Sequence, residues 1–155
     1  MQMIIIILGV LCLVFFIENA RELRTFRIRT YRIFSHKLKG IQKKRIVFLS
    51  DLHNCSYGKN NGRLLAAVRR SRPDLILIGG DMLVRKNGTS YAKTLKFLTR
   101  LTAMCPVYYA NGNHEQKLKE EPERYEQSYA AYNKYLEEAG IIFLENEAVI
   151  WKPDG

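Results

Sequence analysis

Four short apolar runs punctuate the chain from residue 45 onward. The first three end on residues able to bind a cation. Residues 45–50 read RIVFLS and stop at Asp51. Residues 75–80 read LILIGG and stop at Asp81. Residues 106–112 read PVYYANG and stop at Asn113 and His114, and residues 141–146 read IIFLEN. Runs of this length, continuous rather than alternating, fit strands covered on both faces. Between them apolar residues recur at helical spacing. Leu64, Leu65 and Val68 precede SRPD, a helix stop; Tyr91, Leu95, Leu98 and Leu101 mark a second face; Tyr125, Tyr129, Tyr132, Leu136 and Ala139 mark a third. The order β-α-β-α-β-α-β predicts an α/β domain with a mostly parallel sheet and helices on both its faces. The tyrosines and Met104 on these faces read as core.

The first 17 residues, MQMIIIILGVLCLVFFI, carry no charged side chain. About 17 to 25 residues span a bilayer core as a helix. No Lys or Arg precedes the run, as it would in a secretory signal, so residues 1–20 read as one retained transmembrane helix. A cleaved signal and a buried core helix are the alternatives. Residues 21–44 form a basic juxtamembrane segment. Within it TFRIRTYRIF begins by alternating apolar and basic positions, Phe26, Arg27, Ile28 and Arg29, which predicts an edge strand with one charged face.

Charge sharpens this division. Residues 18–45 hold ten Lys/Arg and two Glu, a net +8, within a chain of net +10. The remainder is nearly balanced, which argues against a nucleic-acid binder. A basic collar beside a span favours the cytoplasmic side, giving a single-pass cell-membrane protein with a cytoplasmic domain; an extracytoplasmic domain is the alternative. Contact with anionic lipid and a purely topological role are both open for the collar. Cys12, Cys55 and Cys105 form no disulfide framework. The sequons at Asn54 and Asn87 read as chance, since a glycan at Asn54 would cover His53.

The polar tips carry the chemistry. In a parallel sheet the C-terminal strand ends share one edge, where ligands bind. Asp51, Asp81 and Asn113 therefore meet there from 30 and 32 residues apart. On an extended chain Asp51 and His53 point the same way. Mixed nitrogen and oxygen donors with several carboxylates suit Mn, Fe or Zn, with Mg as the alternative. A single Asp after a strand is ordinarily a turn or cap residue; three such tips at regular spacing are not explained that way. His36 stands beside no other ligand type and reads as a surface residue. Cys55 and Glu115, close to these donors, read as structural neighbours.

The stretches SDLHN (50–54), GGDM (79–82) and GNHE (112–115) resemble, in order, spacing and strand context, the first three motif blocks of the calcineurin-like metallophosphoesterases. The resemblance covers residues 45–146. It implies the N-terminal half of a sandwich-like α/β fold and hydrolysis of phosphoester bonds by two divalent metal ions. It further implies that Asp51 and His53 bind the first metal, that Asp81 bridges both, and that Asn113 binds the second. His114 would contact the phosphate and assist the leaving group. The apolar helix and basic segment resemble membrane-associated bacterial members.

The family pattern continues with a further histidine and a Gly-His-x-His block, whereas the histidines here are His36, His53 and His114. EAVIWKPDG (147–155) reads as a strand and a turn with no returning strand. Residues 45–155 are accordingly expected to be the N-terminal portion of a longer phosphoesterase domain. The alternative is a truncated or non-catalytic membrane-surface interaction module that keeps part of the fold.

Overall fold

The computed structural model describes residues 2–22, 25–36, 43–126 and 128–152, and the chain divides into two units, Met1–Phe34 and Ser35–Gly155. In the first unit, α1 (Gln2–Glu22) is apolar on all sides and its described side chains are exposed. At about 1.5 Å per residue its 21 residues measure about 31 Å. The window Gln2–Asn19, of mean hydropathy 2.3, is long and apolar enough to cross a membrane, a property that signal sequences share. A helix apolar on every face can bury all of them only inside a larger core or in a bilayer.

Residues 25–35 correct the expected edge strand: they have no regular structure, and Ile28, Tyr31, Ile33 and Phe34 are exposed. Alternation supplies a strand with faces but not with a ladder partner, and unpaired backbone groups then turn to water.

In the second unit β1 (Ile46–Leu49), β2 (Leu75–Ile78), β3 (Val107–Tyr109) and β4 (Ile141–Phe143) form a four-stranded sheet in sequence order, every neighbouring pair parallel. The connections carry α2 (Gly62–Ser71), α3 (Ala92–Thr99), α4 (Asn113–Glu120) and α5 (Tyr129–Glu138), with a 3-10 turn at Lys59–Asn61. Right-handed crossovers that always step the same way place all these helices on one face of the sheet. That face holds the core: Ile76, Ile78, Val107, Tyr109 and Ile141 from the strands, with Leu65, Val68, Phe97, Leu98, Leu118, Tyr132 and Leu136 from the helices, all buried. Each such side chain contributes about 1.5–3 kcal/mol by leaving water.

The opposite face departs from the expectation of cover on both sides. Phe48, Leu77, Tyr108 and Ile142 lie in one register row across all four strands. Phe48 is 66% exposed and Ile142 45%, while Leu77 and Tyr108 are half-buried. The runs are apolar toward both faces, yet only one face is covered. The order β1-β2-β3-β4, which run length does not encode, directs the helices to one side. Residues 147–151, expected as a fifth strand, form none; the turn expected at 153–155 lies outside the described residues.

Candidate metal centre

Three strand tips converge at the C-terminal edge of the sheet. β1 runs into Ser50–Asn54, β2 into Gly79–Leu83, and β3 into Ala110–Gly112. Beyond the ladder, the first two tips stay zipped together. Asp51 N–H donates to the Gly80 carbonyl (3.1 Å), His53 N–H to that of Asp81 (3.0 Å), and Asn54 N–H to that of Met82 (2.9 Å). The chain here is not extended, contrary to the sequence reading. Asp51, His53, Asn54 and Asp81 have φ of 56°, 47°, 58° and 53°. The left-handed region costs a non-glycine residue about 1–2 kcal/mol, and four such residues lie together at the tips of β1 and β2.

The side chains nevertheless meet. One donor atom each from Asp51, His53 and Asp81 lies within 4.8 Å of the others. His53 Nε2 stands 3.6 Å from Asp51 Oδ1, and the Ser50 hydroxyl donates to Asp51 Oδ2 at 2.5 Å. Asn113 meets Asp81 from the start of α4: its amide faces the Asp81 carboxylate, with contacts of 2.6 and 3.2 Å. With the nitrogen turned inward the amide donates to both carboxylate oxygens; with the oxygen inward, two acceptors face each other, an arrangement that a shared cation relieves. The donor set, two carboxylates, an imidazole and an amide, fits a hard or borderline divalent ion.

His114 joins from the start of α4. Its ring packs edge-on against that of His53, centroids 4.9 Å apart. Its Nδ1 accepts from Arg85 N–H (3.2 Å), so the neutral ring carries its proton on Nε2. Burial, and then the Arg85 guanidinium, lower its pKa from the ordinary histidine value, favouring that neutral form. His36 is exposed and takes no part.

Three further residues, Gly112, Glu115 and Arg85, shape the site, and the sequence did not assign them these tasks. Asp81 Oδ1 accepts from His114 N–H (2.8 Å), so a carboxylate from another strand tip caps α4 where Gly112, lacking a side chain, cannot. A Cβ on Gly112 would collide with the Asp81 backbone nitrogen and carboxylate. Glu115, fully buried, reaches back to Gly112 N–H (3.1 Å) and across to Asp81 N–H (2.8 Å) and Met82 N–H (2.9 Å). Glu115 was read as a structural neighbour; its position three residues past the helix cap was the available signal. Arg85, which sets the His114 tautomer through its backbone, carried no signal at all.

Residues 44–152 match the family model of the calcineurin-like phosphoesterases. The chain is similar to YkoQ of Bacillus subtilis, an uncharacterized metallophosphoesterase: 32% identity over 94% of this chain and 53% of that protein. It is similar to the uncharacterized protein YpbG of the same organism, at 26% identity over 83% and 44% respectively. Phosphodiesterase YaeI of Escherichia coli is 27% identical over 68% of this chain and 38% of its own length. The chain thus spans about half or less of these relatives. No solved structure matches it significantly.

Proposed function

The chain belongs to the calcineurin-like phosphoesterase family, and on that premise we propose that it carries the first half of a dinuclear centre that hydrolyses phosphoesters at a membrane surface. The observation behind this reading is the convergence of Asp51, His53 and Asp81 donor atoms within 4.8 Å at one sheet edge. Asp51 and His53 would hold one ion, Asp81 would bridge, and Asn113 would hold the second. Mn, Fe or Zn suits these donors better than Mg, which prefers oxygen alone. When bound, such ions supply Lewis acidity at the phosphoryl group and acidify water.

The chain's own residues then orient and move protons. His114, neutral with its proton on Nε2, donates toward a phosphoryl or leaving-group oxygen. The α4 N-terminus, aimed at the same rim, favours the negative charge of the substrate. The remaining ligands would come from a segment beyond this chain; the relatives' greater length and the open sheet face support that. The apolar α1 would anchor the protein, with the basic segment on the cytoplasmic side and in reach of anionic lipid.

Mn²⁺ binding to the chain, measured calorimetrically, and hydrolysis of an aryl phosphodiester by the protein at its relatives' length test the proposal together. Asp81→Asn is expected to weaken binding at least tenfold and to abolish turnover. No bound metal, or unchanged activity in Asp81→Asn, would overturn it. A non-catalytic surface module is the second reading. It prevails if metal binds without turnover.

A further inference from the structure

Glu115 poses a problem that the hydrolytic reading does not solve. Its side chain is completely buried, and a buried carboxylate is costly unless its charge is matched. The partners the structure gives it are all uncharged donors. Oε2 accepts from the backbone N–H groups of Asp81 (2.8 Å) and Gly112 (3.1 Å). Oε1 accepts from the N–H groups of Met82 (2.9 Å) and Leu83 (3.4 Å) and from the Tyr109 hydroxyl (2.8 Å). Three of these five donors are consecutive residues of the loop that leaves β2.

That loop has no ladder of its own beyond Ile78. Gly80 has φ of 82° and Asp81 φ of 53°, and only external partners hold a non-glycine residue there. On one side the β1 tip donates to the carbonyls of Gly80, Asp81 and Met82. On the other, Glu115 accepts from the N–H groups of Asp81, Met82 and Leu83. The loop is therefore clamped on both polar edges, and the Asp81 carboxylate that it carries is held through Oδ1 by the His114 N–H at 2.8 Å.

The clamp extends into the core. The Tyr109 hydroxyl, at the end of β3, also pairs with the Tyr132 hydroxyl of α5 at 2.9 Å. The two rings pack edge-on, centroids 6.4 Å apart, and Tyr132 packs likewise on Tyr91 at 6.0 Å. Tyr109 and Tyr132 are both fully buried. A continuous path of hydrogen bonds thus runs from α5 through Tyr132, Tyr109 and Glu115 to the backbone of Asp81. Buried polar chains of this kind hold one geometry when every member is satisfied.

We infer that Glu115, held in place by Tyr109 and Tyr132, is the positioning residue of the metal centre: it fixes the Asp81 loop in the left-handed conformation that aims Asp81 at Asp51, His53 and Asn113. The inference rests on reading Asp81 as a metal ligand, but its structural part is measurable without metal. It acts through the loop and touches neither cation nor substrate.

The test uses the full chain in detergent micelles, without metal and then titrated with Mn²⁺. Glu115→Gln keeps the size of the side chain but turns an NH₂ group toward N–H donors. Amide exchange at Asp81, Met82 and Leu83 is expected to accelerate at least tenfold, while that of Ile76 to Ile78 in β2 stays unchanged. Mn²⁺ affinity is expected to fall about tenfold, as when partners that orient a ligand are lost. Tyr109→Phe removes one donor without changing shape and is expected to give the same pattern at two- to fivefold. Unchanged loop exchange and Mn²⁺ affinity in Glu115→Gln overturn the inference. If that variant does not fold, unchanged exchange at Met82 in Tyr109→Phe overturns it. Faster loop exchange in a chain whose wild type binds no Mn²⁺ upholds the clamp and sinks the metal reading.

Discussion

At the scale of single residues, the site depends as much on what is missing from a side chain as on what is present. Gly112 lies so close to Asp81 that a Cβ would meet its backbone nitrogen and its carboxylate. Neither can retreat, since the nitrogen is bound to Glu115 and the carboxylate caps α4 through His114. Gly112→Ala is therefore expected to destabilise the domain by about 1–3 kcal/mol, the range for overpacking, and to weaken Mn²⁺ binding. Urea unfolding read alongside metal titration checks this; an alanine variant matching wild type in both would show that the loop can move aside. The donors themselves were legible in the sequence, because each is a polar residue ending an apolar run. The left-handed backbone beneath them was not. Nothing in the letters of SDLHN separates an extended tip from one folded back against its neighbour. That difference is set by the hydrogen bonds to Gly80, Asp81 and Met82.

Among elements, the strands and the helices α2, α3 and α5 follow the hydrophobic pattern, except that α5 begins only at Tyr129 and leaves Tyr125, expected on its face, in the preceding bend. α4 does not. Its sequence, NHEQKLKE, buries Leu118 as its one apolar residue and has no periodic stripe. It is nucleated by carboxylates, Glu115 from within and Asp81 from outside, and tertiary capping of this sort leaves no periodic trace. The junction of α3, β3 and α5 offers a second measurement. Burial, with Glu115 nearby, pushes the Tyr91 phenol up to about 12, and burial pushes Tyr109 and Tyr132 upward as well. A phenol whose pKa is raised in the fold favours the folded state below its unfolded value near 10 and loses that contribution as pH rises through the folded value. Stability is expected to hold to about pH 10 and then to fall steeply through about pH 12. Tyrosinate absorbance should appear together with loss of circular dichroism. Ionisation of all nine tyrosines near pH 10 with an unchanged dichroism spectrum would contradict the assignment.

For the whole molecule, the sequence divides the chain into apolar helix, basic segment and α/β domain, whereas the two units observed meet between Phe34 and Ser35, inside the basic segment, and residues 25–35 are irregular where a strand was expected. Helix placement was the part it could not foresee, because run length reports burial potential and topology decides which face is covered. Orientation across a membrane is open to a direct measurement. Cys55 is exposed, whereas Cys105 is half-buried and its thiol pKa is raised by that burial, so Cys55 is the better target for an impermeant maleimide. If the collar is cytoplasmic, labelling occurs only after the cells are permeabilised; labelling of intact cells would reverse the charge argument. The strained tips carry a consequence for descent. Glycine residues at positions 51, 53 and 81 would relax a left-handed backbone while removing a donor. A lineage released from the need for a cation would gain heat resistance by drifting to those residues. Loss of the chemistry would then be written in its descendants as a more durable protein with a vacant rim.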